Sequence, residues 1–175
     1  AVAPATVAAL AVCAREVRRE IGPEPLLGVN ALRSDASAAL AAAVAADADL
    51  IRVNVHTGAA WTDQGLVQGQ AHRTLRTRRL LEAEVAILAD VLVKHAQPVA
   101  PTNPAVVATE TVERGGADGL VVTGPATGQP ADLDLLRAVA EGVPGTPVLV
   151  GSGVTPDALP ALRDLAAGAI VGTWL

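Results

Sequence analysis

Three polar side chains, Arg52, Asn54 and His56, stand at every second position of the stretch 50–57, with Ile51, Val53 and Val55 between them. Farther along, Asp90 and Lys94 share one parity of 85–95, while Ile87, Ala89, Val91 and Val93 share the other. A strand sends alternate side chains to opposite faces. Each segment therefore predicts one apolar face and one face of groups that bind ions or transfer protons. A charge turned toward a protein interior is expensive unless it is paired or used. Two such strands in one chain predict the wall of a polar site.

The residue types say what that site would do. An imidazole exchanges protons near neutral pH, which makes His56 the candidate general acid or base. Lys94 suits a phosphate, or, if desolvated, a Schiff base with a keto substrate. Asn30, at the end of an earlier apolar run, and Asn54 would orient a substrate and stabilise developing charge. Arg52 and Asp90 lie four residues before the expected strand tips, roughly 13 Å down each strand. At that depth they read first as a buried ion pair between neighbouring strands, and second as direct substrate contacts.

A second group of residues suits an anion. Gly151-Ser152-Gly153-Val154-Thr155 follows an apolar run and precedes a helix start. Glycines let backbone amides approach an anion, and a helix N-terminus favours negative charge. With Gly172 and Thr173 on the next run, this predicts a phosphate cradle of the kind formed after barrel strands seven and eight; an ordinary tight turn is the alternative. Thr123-Gly124-Pro125-Ala126-Thr127-Gly128 would add hydroxyls and amides. The segment 58–70, with Trp61, Asp63 and Gln64, is long for a strand-to-helix connection and reads as a lid offering Asp63 as an acid, or as a plain surface loop. Cys13 reads as a buried small hydrophobe on its helix. His72, His95 and the cluster Arg73, Arg76, Arg78 and Arg79 read as solvated or packing residues.

These side chains need elements to hold them. Apolar, β-rich runs at 26–30, 50–56, 85–93, 119–124, 147–152 and 169–173 predict six strands. Helical patterns fall at 6–20, 37–46, 71–81, 105–114, 133–141 and 158–165. Asp35 caps the Ala-rich helix in this reading, and Thr155-Pro156-Asp157 opens another. A phrase recurs before three strands, as Ala48-Asp49-Leu50-Ile51, Ala117-Asp118-Gly119-Leu120 and Ala167-Gly168-Ala169-Ile170, so one helix-to-strand turn is reused. Strands alternating with helices imply a parallel α/β sheet with right-handed crossovers. Polar tips spread over many strand ends favour a (β/α)8 TIM barrel, and no G-x-G-x-x-G follows the first run to support a dinucleotide fold. Six strands against the eight of a barrel predict a single partial barrel over 1–175, lacking the first two strands and the last helix.

Composition narrows the classes. The 175 residues are 51% hydrophobic and 18% charged, with a net charge of −5 and neither Phe nor Tyr. No basic, aromatic-rich stripe for nucleic acid is present. A single cysteine gives no disulfide framework or thiolate metal site and suits a reducing, cytoplasmic setting. The apolar run 36–46 is far short of the roughly 20 residues of a membrane helix, and no signal-peptide pattern opens the chain. No metal ligands are assigned, cofactor use does not follow from these residues, and a homo-oligomer stays open.

Gly28-Val29-Asn30-Ala31-Leu32-Arg33-Ser34-Asp35, Ile51-Arg52-Val53-Asn54-Val55-His56-Thr57-Gly58 and Thr62-Asp63-Gln64-Gly65 closely resemble the BtpA/SgcQ family. So do Ala89-Asp90-Val91-Leu92-Val93-Lys94-His95-Ala96 and Val150-Gly151-Ser152-Gly153-Val154-Thr155. The resemblance implies a TIM barrel that this chain would enter at its second helix and leave after strand eight. It also implies a relation to a cyanobacterial factor needed to accumulate photosystem I reaction-centre proteins. Two functions follow as expectations. One is an enzyme-like barrel doing acid/base chemistry on a small phosphorylated metabolite of sugar-phosphate type. Here Gly151, Ser152, Gly153 and Gly172 would hold the phosphate and His56 would move the proton. The other is a non-catalytic biogenesis or assembly factor. A Schiff-base lyase using Lys94 is a third.

Overall fold

The structure, a computed structural model, describes residues 1–124, 129–172 and 174–175. In chain order the elements are α1 (Pro4–Ile21), β1 (Gly28–Asn30), α2 (Ala36–Ala46), β2 (Leu50–Val53), β3 (Ala59–Thr62), β4 (Gly65–Gln68), α3 (Ala71–Leu80), β5 (Ala86–Val91) and β6 (Ala96–Pro98). There follow α4 (Pro104–Glu113), β7 (Gly119–Val122), α5 (Leu133–Gly142), β8 (Val148–Val150), a 3-10 turn (Pro156–Ala158), α6 (Leu159–Leu162) and β9 (Gly168–Ala169). All six expected strands form, each shorter than its apolar run. They make one parallel sheet in the order β1-β2-β5-β7-β8-β9.

Alternation along these strands separates two faces. Val29, Ile51, Val53, Ile87, Ala89, Val91, Leu120, Val122, Val148 and Val150 are buried on the side covered by helices. α2 meets that side with Ala39, Leu40, Ala42 and Ala43, all fully buried, so small side chains bring helix and sheet close. Each fully buried Ile or Leu contributes about 1.5–3 kcal/mol. The opposite parity carries Asn30, Arg52, Leu88, Asp90, Val121 and Leu149. Register places Asn30 beside Arg52, Arg52 beside Leu88, and Asp90 beside Val121.

The recurring Ala-Asp phrase is a strand clamp. Asp49 accepts the Leu27 N–H at 2.7 Å, and its own N–H donates to Leu27 O at 2.9 Å. Asp118 treats Ile87 identically, at 2.8 and 2.9 Å. Each carboxylate also takes an arginine from a covering helix, Arg18 on Asp49 and Arg78 on Asp118. The Leu27 amide bond holds the Asp49 carboxyl below its usual range, and the Arg18 bond and charge add to it. At Gly168 the third copy has no such side chain.

Three expectations need correction. The segment 58–70 is neither lid loop nor plain loop: β3 and β4 form a hairpin turning at Asp63 and Gln64, and β6 pairs antiparallel with β3. The signal was present, since a two-residue turn with Gly65 at φ +90° joins two short apolar runs. Thr155 makes no capping bond, because the chain starts there with a 3-10 turn rather than an α-helix. Asp35 does cap α2, accepting from Ala38 N at 3.1 Å. Cys13 is exposed, because α1 packs through Val7, Leu10, Ala11 and Ala14 and that face excludes position 13. Among the described residues, no helix is long and apolar enough to cross a membrane.

Candidate functional site

At the C-terminal ends of β1, β2 and β5 four of the predicted residues join in one hydrogen-bond network. Arg52 grips Asp90 with two parallel bonds, Nε to Oδ1 at 2.7 Å and Nη2 to Oδ2 at 2.9 Å. Asn54 Nδ2 donates to the same Oδ2 at 3.0 Å. Asn30 Nδ2 donates to the Arg52 carbonyl at 2.7 Å and to Asn54 Oδ1 at 3.3 Å. The expected ion pair between neighbouring strands therefore forms. Its carboxylate side chain is 0% exposed and its guanidinium 19%. Burial pushes the Asp90 carboxyl above its usual range, and the Arg52 bonds, the Arg52 charge, Asn54 and the Lys94 charge draw it part of the way back.

β8 reaches the same network through a glycine. A Cβ on Gly151 would lie 2.6 Å from Val121, 2.9 Å from the Thr123 methyl and 3.4 Å from Arg52 Nη2. The missing side chain leaves the room in which those three meet. Gly153 has φ +63°, and a Cβ there would sit 2.3 Å from the Gln129 carbonyl carbon. Both glycines thus meet protein atoms, whereas among the described residues nothing lies within 4 Å of a Cβ on Gly172. Ser152 is buried. Thr173 and the stretch 125–128 lie outside the described residues. Gly153→Ala should lower stability by more than about 1 kcal/mol, from the positive φ and the contact together. A thermal melt unchanged from the parent protein would show that the turn is not held by this packing.

Lys94 and Thr123 share a cavity of about 690 Å³ with Trp61, His95, Gln97 and Asp132. The Lys94 N–H donates to Thr123 Oγ1 at 3.1 Å. A second cavity, of about 270 Å³, lies between the β3–β6 sheet and the ends of β2 and β5, with Asn54 and Asp90 among its lining residues. Leu92, Val93 and Ala96 border both cavities. The β3–β6 sheet, which the sequence reading missed, is what gives these cavities an outer wall. Asp63 stands at its tip, 66% exposed on the side chain, and ion-pairs with Arg33 Nη1 at 2.9 Å. That pair ties the hairpin to the loop after β1.

The structure does not bring His56 to these cavities. The ladder of β2 ends at Val53, and Val55 N donates to Ser34 Oγ at 2.8 Å rather than to a strand. Alternation stops there, so His56 does not inherit the parity of Arg52. Its ring is 1% exposed and its Nε2–H donates to Gly115 O at 2.8 Å, beyond the end of α4. It borders a separate cavity of about 410 Å³ with His72, Glu110 and Arg114. Among the described residues Nδ1 has no hydrogen-bond partner. Burial depresses the His56 pKa, against the pull of the Gly115 carbonyl. Strand β5 likewise ends before Lys94, at a positive φ of 50° on Leu92, and Lys94 borders the same cavity as Thr123. No group of three His, Cys, Asp or Glu among the described residues could hold a metal ion.

Comparison with known proteins agrees with this architecture. The chain is 50% identical over 149 residues to "Photosystem I biogenesis protein BtpA" of Synechocystis sp., covering 85% of this chain and 52% of that protein. It is 49% identical over 170 residues to an uncharacterised protein of Thermococcus kodakarensis, covering 97% of this chain and 63% of that protein. It thus spans about half to two thirds of these relatives. Among solved structures, 2,3-dimethylmalate lyase superposes with a TM-score of 0.64 at 10% identity, over 94% of this chain and 59% of the lyase. N-(5'-phosphoribosyl)anthranilate isomerase from Pyrococcus furiosus does so at 0.57 and 15%, over 93% and 70%. Identities this low establish the TIM-barrel-like fold alone. The sequence profile of the BtpA family matches residues 1–175, and the chain belongs to that family.

Proposed function

We propose that the protein is an enzyme-like barrel that binds a small phosphorylated metabolite, of sugar-phosphate type, at the C-terminal ends of its strands. One observation carries this: the buried Arg52–Asp90–Asn54–Asn30 network stands at the end of the sheet where barrel enzymes do chemistry. Apolar residues of the same volume would stabilise that position as well or better, so an ionic cluster there favours a functional reason. Asp90, its carboxyl raised by burial and its side chain sealed from solvent, holds Arg52 and Asn54 in place rather than touching the substrate. His56 faces another way and takes no part. Lys94, beside Thr123, is the cation for the phosphate, and Gly172 leaves open space for a second contact.

Calorimetric titration with inorganic phosphate and a sugar-phosphate panel tests this reading. Saturable binding weakened at least tenfold by Lys94→Ala is the expected outcome. A panel in which no phosphorylated compound binds removes the proposal. The 50% identity to a biogenesis protein supports a second reading, an assembly factor. Recovery of membrane-protein subunits in a pull-down, with no small-molecule binding, would favour it.

A further inference from the structure

Aromatic side chains are scarce in this protein, which has two Trp and neither Phe nor Tyr. One of the two, Trp61, is 56% exposed on β3, where its cross-strand neighbours are Leu66 of β4 and Gln97 of β6. Leu66 is itself 44% exposed, so hairpin packing leaves much of the indole uncovered. That indole borders the cavity of about 690 Å³ that Lys94, Gln97, Thr123 and Asp132 also line. Small-molecule sites span roughly 300–1,000 Å³ and combine apolar or aromatic surface with a few placed polar groups.

The polar groups in this wall are of mixed kind. Lys94 is a cation, Thr123 a hydroxyl, and Gln97 carries both an amide donor and an acceptor. Asp132 accepts the Asp134 and Leu135 amides on Oδ1 at the start of α5, and its carboxylate adds an acceptor to the wall. Several donors and acceptors beside one aromatic face match a sugar ring. The C–H bonds on one side of such a ring carry partial positive charge, and an indole face is the negative side of its quadrupole. The hydroxyls at the ring's edge then meet the amide, hydroxyl and carboxylate groups. A flat nucleobase needs less of that polar wall, and among the described residues no second aromatic borders the cavity to enclose it. An open-chain polyol has the hydroxyls but no flat C–H face, and binding also freezes its rotors.

We infer that Trp61 is the platform for a sugar ring, so that the phosphorylated ligand binds in its cyclic form. Trp61 then determines specificity for ring over open chain. The phosphate at Lys94 rests on the function proposed above, whereas the platform rests on the cavity wall itself.

Trp174→Phe leaves Trp61 as the only tryptophan, and its emission then reports on this cavity. Calorimetry and fluorescence are read together for glucose 6-phosphate and ribose 5-phosphate, and for their open-chain counterparts glucitol 6-phosphate and ribitol 5-phosphate. Inorganic phosphate, methyl glucoside and adenosine complete the set. A cyclic sugar phosphate should shift the Trp61 emission and bind about tenfold more tightly than its alditol, the upper range of one aromatic contact. Trp61→Ala should erase that preference and leave the affinity for inorganic phosphate unchanged. Trp61→Leu, which keeps apolar bulk beside Leu66 without an aromatic face, should do the same if the alanine disturbs the hairpin. Equal affinities for ring and open chain overturn the inference, as does calorimetric binding of a ring that leaves the emission unmoved. A ring preference that survives in either folded variant overturns it too, and so does a stronger emission shift with adenosine. The two proposals fall separately. Phosphate binding without ring preference removes the platform alone, and methyl glucoside shifting the emission while no phosphorylated compound binds removes the phosphate alone.

Discussion

Asp90→Ala will lower the unfolding free energy by about 3–5 kcal/mol, the usual consequence of leaving a buried charge without its partner. Three hydrogen bonds end on that carboxylate, two from Arg52 and one from Asn54. Arg52 is mostly covered and runs against Gly151, so it has little room to swing toward water. Asn54 loses one acceptor as well, which adds about 1 kcal/mol. A domain holds only about 5–15 kcal/mol in total, so this variant should sit near its limit. The double variant Arg52→Met with Asp90→Leu removes both charges and should return to within about 1 kcal/mol of the parent protein, while abolishing ligand binding. Urea titrations of the three proteins read these differences. A double variant as unstable as Asp90→Ala would mean that the ion pair is a structural requirement, and the functional reason offered for it would lose its basis.

Stability will fall as pH drops below about 6.5, and His56 will be the cause. A ring that donates Nε2–H to Gly115 O is the neutral tautomer with Nδ1 unprotonated. Protonation would add a buried N–H where no partner stands among the described residues. The folded pKa is accordingly depressed, first by burial and then by the charge of Arg78, with the Gly115 carbonyl and Asp118 opposing. The sign follows. Above the unfolded value of about 6.5 both states are neutral and the full stability is present. Below it the unfolded chain takes up a proton that the folded chain refuses, so stability is lost by up to about 1.4 kcal/mol per pH unit until the folded pKa is reached. Asp49 also has a depressed pKa, but its contribution is lost only as pH falls below the ordinary aspartate value of 3.8, so the two windows separate. Unfolding followed from pH 7 to about pH 5 in the parent and in His56→Gln tests this. The loss of stability toward acid pH should vanish in the variant. A slope that persists there would assign it to another group.

Much of the fold was legible because it rests on local pattern. Alternating Ile51, Val53, Ile87, Ala89 and Val91 announced strands with one helix-covered face, and Asp35 announced the start of α2. The Arg52–Asp90 pair was legible too, since shared parity on neighbouring strands leaves two interior charges little choice but each other. The β3–β4 hairpin was readable from its turn, yet its pairing with β6 was not. The two segments lie about thirty residues apart, and no local signal states which edges meet.

The chain by itself determined which residues face inward wherever a ladder of backbone bonds enforces period two. It also determined which sheet the strands share. Only the tertiary structure decided where that enforcement stops. β2 ends at Val53 because Ser34, far away in sequence, takes the Val55 amide, and from there His56 is free to turn toward α4. The tertiary structure also decided why 151 and 153 are glycines, since a Cβ there would run into Val121, Thr123 or Gln129. Periodicity is a property of the backbone, but the use of a given side chain depends on what distant segments bring against it.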